Sequence, residues 1–121
     1  MDVAEIKATI STALAQRSSL PRYEELCALH DVLVRHIEAL MPLAAKQIDG
    51  LWHGSREWYR KRSTLDTIPY EVAEGLGPGL LTATSHVKSL GYTLRFLLEN
   101  AGLAQAGEEL AAVHSPPTAD I

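Results

Sequence analysis

One run of this sequence concentrates side chains able to recognise a ligand: Leu51-Trp52-His53-Gly54-Ser55-Arg56-Glu57-Trp58-Tyr59-Arg60-Lys61-Arg62. It holds both tryptophans and, in Arg56, Arg60, Lys61 and Arg62, four of the eleven basic residues. A guanidinium beside an aromatic ring can hold a carboxylate, a phosphate or a planar anionic ligand by paired hydrogen bonds and stacking. Taken as a helix, the run places Trp52, Ser55, Arg56 and Tyr59 on one side and Trp58, Arg62 and Leu65 on an adjoining one. Trp52, Arg56, Trp58, Tyr59 and Arg60 are therefore candidate ligand- or partner-binding residues. Arg95, on a later helix, joins them because it can share an anion with Arg56. The plainer alternative is that the rings pack between helices while Arg60, Lys61 and Arg62 complement the negative end of a helix.

No catalytic constellation emerges elsewhere. Asp49, His53 and Glu57 are spaced by four, which suggests metal binding or acid–base chemistry if they share a helix face. Lys46 before them and Lys61 after Glu57 instead favour a solvated face with side-chain pairs. A di-metal carboxylate bundle needs Glu-x-x-His on two helices, and this chain has none. His30, His36, His86 and His114 match no zinc spacing, so no metal or cofactor is expected. Gly75, Gly77 and Gly79 lack the Gly-Lys-Ser/Thr ending of a phosphate loop and follow no strand. They predict a flexible connection between helices, with a moving lid as the alternative.

The elements that position these residues follow from the spacing of apolar side chains. Val3, Ile6, Ile10, Ala13 and Leu14 line a short docking helix over residues 2–15. Pro21, Glu24 and Glu25 suit the start of a second helix, whose stripe is Leu26, Leu29, Leu33, Ile37 and Leu40. The same spacing continues through Met41, Ala44, Ile48, Leu51, Ser55 and Trp58, so Pro42 predicts a kinked continuation or a fresh helix after a tight break. Residues 63–69 predict its end, with at most one more turn over 71–74. After the glycine-rich loop, Thr82 is the expected N-cap of a last core helix carrying Ala83, Val87, Leu90, Leu94, Leu97 and Ala101, closed by Gly102 in a left-handed C-cap. Gly91 within it marks close helix approach or ligand access.

These patterns predict an all-α fold, a small bundle of three to four main helices whose central member is long and kinked or broken at Pro42. One domain over residues 1–113 is expected, including a short amphipathic piece at 103–113, followed by a tail at 114–121. At 121 residues the chain suits a single core. Apolar runs are far short of a membrane span, and acidic Asp2 and Glu5 stand where a secretory signal would be basic, which predicts a cytoplasmic protein. The one cysteine, Cys27, predicts a buried thiol. A net charge of −4 argues against nucleic acid as a partner.

Beyond these physical signals, several segments resemble a family of small actinobacterial proteins of unknown function labelled as natural-product biosynthesis proteins. They are Leu20-Pro21-Arg22-Tyr23, Met41-Pro42, the tryptophan-containing run up to Tyr59, Leu65-Asp66, Gly75-Leu76-Gly77-Pro78-Gly79 and Leu94-Arg95-Phe96-Leu97-Leu98. The resemblance covers roughly residues 20–100 and implies a setting in secondary metabolism, without implying any functional residue.

The leading functional expectation is a non-catalytic accessory module that binds a protein partner, or itself, through an apolar or aromatic helix face. The second is a small-molecule binder or enzyme of secondary metabolism, with Trp52, Arg56, Tyr59 and Arg95 around an anionic or aromatic ligand. The third is a nucleic-acid regulator using Arg56, Arg60, Lys61 and Arg62.

Overall fold

The computed structural model describes residues 2–15 and 21–102. Four helices account for most of them: α1 (Val3–Leu14), α2 (Tyr23–Asp49), α3 (Arg56–Glu74) and α4 (Leu80–Asn100). No strand occurs among the described residues, and no helix there is long and apolar enough to cross a membrane. The expected piece at 103–113 and the tail beyond it lie outside the described residues.

The core is built by the predicted stripes. Ile6, Leu33, Ile37, Leu40, Ile48, Leu90, Leu94 and Leu97 are the largest fully buried side chains. Helix α4 sits centrally, packing along α2 and against α1, with a lighter contact to α3. Gly91 explains how α1 approaches so closely, because a Cβ at that position would lie 2.9 Å from both Ala13 Cβ and Leu14 Cδ2. The close-approach role is thus the one its position serves. Helix α3 is the most polar of the four and buries only Leu65 and Ile68 fully. The Glu71 carboxylate ties it to α4 by accepting hydrogen bonds from the hydroxyls of Ser89 and Thr93.

Several expected boundaries are corrected. Of the two alternatives at Pro42 the structure has the continuation, α2 running through it to Asp49, and not the fresh helix after a break. Pro42 and Glu38 are both exposed, so the Glu38 carbonyl that loses its helical donor can bond water. The break falls instead at residues 50–55. Gly50 caps α2 with its N–H directed at the last carbonyls, and the Ser55 hydroxyl accepts the Trp58 N–H at 3.0 Å to start α3. Helix α3 then passes through Pro69 to Glu74 rather than ending at 63–69. One lost hydrogen bond is offset because Leu65, Ile68 and Val72 keep one face packed.

Gly75, at φ +69°, ends α3. The Tyr23 hydroxyl donates to the Gly77 carbonyl at 2.9 Å, tethering the glycine-rich loop to the start of α2. The N-cap of α4 is Gly79, not Thr82, since Leu80 and Leu76 pack against the core and draw the helix start earlier. Gly102 has φ +83°, the left-handed conformation expected after α4. Cys27 is half-buried, more exposed than its place in the apolar pattern implied.

Two substitutions test this packing by urea unfolding. Leu94→Ala is expected to cost about 2–5 kcal/mol, the loss of a fully buried side chain plus the cavity it leaves. Gly91→Val is expected to cost about 1–3 kcal/mol by pushing α1 off α4, with the loss of hydrogen-exchange protection concentrated in α1.

Candidate functional site

The turn between α2 and α3 separates residues that the sequence placed on one continuous helix. Trp52 stands in the turn with its indole folded over Gly54, so near that a Cβ there would meet the ring at 2.7 Å. The indole is nevertheless 78% exposed. Ser55 holds the turn in shape, its hydroxyl donating to the Trp52 carbonyl at 2.7 Å while accepting from Trp58 N. From this cap α3 projects Arg56, Tyr59, Arg60 and Ser63 outward at spacings of three and four. Tyr59 is 69% exposed. With Gly54 and Ser55 these four residues line an open depression of about 500 Å³.

Trp58 belongs to a different environment. It is half-buried, packs against the core cluster, stacks on His53 at 4.6 Å and meets Tyr59 edge-on at 6.1 Å. Trp58 therefore serves as the packing mass beneath the exposed pair, whereas Trp52 and Tyr59 face outward.

The four-cation run is divided in the same way. Lys61 pairs with Glu57 at 3.1 Å, the spacing expected from the sequence. Arg62 bridges Asp49 and Asp66, at 3.3 Å each, so it links the end of α2 to α3. Arg56 and Arg60 have no acidic partner among the described residues. Two exposed guanidiniums thus flank an exposed tyrosine at the positive end of a helix, one turn from an exposed tryptophan.

Asp49, His53 and Glu57 do not share a helix face. Asp49 ends α2, His53 lies in the turn with Nε2 3.0 Å from the Asp49 carbonyl oxygen, and Glu57 opens α3. Their carboxylates are engaged by Arg62 and Lys61. Among the described residues, no group of three or more His, Cys, Asp or Glu side chains is placed to hold a metal ion.

Arg95 does not join Arg56. Its guanidinium lies over the Tyr92 ring at 5.0 Å. It lines a separate groove of about 540 Å³ between α1 and α4 with Lys7, Ile10, Ser11, Leu14, Leu98 and Glu99. The expected four-residue pocket is thus split between two faces of the bundle. The sequence also left unremarked a pair of histidines, His30 on α2 and His86 on α4, whose rings meet at 5.6 Å. Both sit beside apolar stripes, but nothing in a single sequence states which turn of one helix faces which turn of another.

The whole bundle, this corner included, coincides with a recognised family. The model of a family of unknown function, DUF6415, matches residues 4–106. The chain belongs to that family. No curated protein and no solved structure matches it. The matched residues span all four helices, so the corner around Trp52 is part of the family's domain.

Ser55→Ala is expected to cost about 1 kcal/mol of stability through the lost helix cap. Trp52→Ala, at an exposed ring, is expected to stay within about 0.5 kcal/mol of the parent. Chemical denaturation of the two variants checks this contrast. An equally large loss for Trp52→Ala would make the indole a structural element.

Proposed function

We propose that this chain is a non-catalytic helical accessory module that docks a protein partner through the corner formed by Trp52, Arg56, Tyr59 and Arg60. The observation that carries this reading is the exposure of Trp52 and Tyr59, at 78% and 69%, beside two guanidiniums with no acidic partner among the described residues. Tryptophan, tyrosine and arginine are the residue types that dominate binding energy at protein interfaces. Free guanidiniums at a helix N-terminus favour a partner that presents carboxylates to them. The sequence resemblance described above supports a setting in actinobacterial natural-product biosynthesis, and the short apolar runs with acidic Asp2 and Glu5 near the N-terminus support a cytoplasmic one.

A second reading rests on the depression beside Arg56. Its volume of about 500 Å³ is in the range of small-molecule sites, and its lining offers a tyrosine ring and two cations to an aromatic carboxylate or phosphate. The nucleic-acid alternative is weaker, because Lys61 and Arg62 are committed to internal ion pairs.

Affinity capture from the native host, followed by purification of the captured protein and titration calorimetry against it, tests the docking. Trp52→Ala and Arg56→Ala are each expected to weaken the binary complex by about 2 kcal/mol or more. Light scattering on the chain alone identifies a second copy as the partner if it reports a dimer that Trp52→Ala dissociates. A strict monomer with no captured partner, or a purified partner bound equally well by both variants, overturns the docking corner. In that case a thermal shift with aromatic acids that disappears in Arg56→Ala supports the small-molecule reading.

A further inference from the structure

We propose that His30 and His86 form a two-histidine site for a late first-row divalent cation, of the class of Ni²⁺, Cu²⁺ and Zn²⁺, on the seam between α2 and α4. The two rings come from the helices that share the main interface of the bundle, with centroids 5.6 Å apart and planes inclined by 33°. The Nε2 atoms of both are buried and have no hydrogen-bond partner. A ring nitrogen closed off from water and left without a partner is costly, and such atoms call for an ion, a water or a function to account for them. Neutral imidazole offers a lone pair on one nitrogen, and a cation shared by two adjacent rings relieves both at once.

A second observation bears on the same site. The Asp31 carboxylate lies 3.7 Å from Nδ1 of His30. A carboxylate on the side of the remote nitrogen is a common neighbour of metal-binding histidines. The ligand chemistry selects the ion class, since imidazole suits Zn, Cu and Ni whereas Mg and Ca require oxygen donors. No third His, Cys, Asp or Glu among the described residues completes a cage.

His36 provides an internal contrast. Its Nε2 is also buried without a hydrogen bond, but it stands 3.8 Å from the Glu5 carboxylate and no other ring is stacked near it among the described residues. A lone imidazole of this kind supplies one donor only.

The test uses the full chain, stripped with chelator and free of any affinity tag, titrated with NiCl₂ and with ZnCl₂ by calorimetry and followed by thermal unfolding. Saturable binding and a rise in Tm are expected, both lost in His30→Gln and in His86→Gln and both retained in His36→Gln and His53→Gln. Asp31→Asn is expected to weaken binding about tenfold. Should either ring variant fail to fold, substoichiometric Cu²⁺ added to the parent protein is expected to broaden the imidazole NMR signals of His30 and His86 ahead of those of His36 and His53. Absence of any metal-dependent change in the parent, binding that survives His86→Gln, or broadening that starts at His53 overturns the proposal.

Discussion

Leu90, Leu94 and Leu97 are fully withdrawn from water on a helix that touches all three others, so the position of every element is referred to that one stripe. Fully burying a leucine contributes roughly 1.5–3 kcal/mol; α2 also meets all three neighbours, and its packing along α4 is the most extensive in the bundle. Helix α2 lies along the stripe, and α1 reaches it only because residue 91 has no side chain to hold it away. Removing the stripe would take from α1 and α2 the neighbour against which each packs most extensively.

Helix α3 is held on different terms. It contributes two fully buried side chains, a half-buried tryptophan, and the Glu71 carboxylate that receives two hydroxyls from α4. A helix secured by so narrow a strip keeps the rest of its circumference in water. The outward face carrying Arg56, Tyr59, Arg60 and Ser63 is therefore free of duties in the core, and the capped turn at Ser55 fixes Trp52 beside it.

The distribution of charge sharpens this division. Carboxylates near the α2–α3 turn are used locally: Asp49 and Asp66 hold Arg62, and Glu57 holds Lys61. Exposed pairs of this kind add little stability, but they orient the turn and neutralise the cations nearest the core. Arg56 and Arg60 on α3 have no such partner among the described residues. On the α2–α4 seam two imidazole rings are brought together with buried, unpartnered Nε2 atoms, and the Asp31 carboxylate lies 3.7 Å from Nδ1 of His30.

By itself the sequence determined the fold class and most of the core. A stripe recurring every three or four residues can bury itself only as helices, and every position of the stripe from Ala83 to Ala101 is buried as that periodicity required. It also determined the left-handed residue at Gly102 and the loop at residues 75–79, because glycine leaves helical order wherever a positive φ or a turn is needed. Helix boundaries were less legible. Pro69 looked like a stop, and Pro42 left continuation and break both open, yet both prolines stay inside helices, since packing on the buried side outweighs one lost hydrogen bond. Gly50 and Ser55 made the true break, and Ser55 fits a helical stripe as readily as a cap until the direction of its hydroxyl is seen. Only the tertiary structure decided which candidates share a surface. It set Arg56, Tyr59 and Arg60 around one depression with Trp52 folded over the adjoining Gly54, moved Arg95 to the α1 groove, and set His30 against His86. Periodicity fixes the face of a helix on which a side chain lies, whereas the neighbour it meets depends on how far each helix slides and turns against the next.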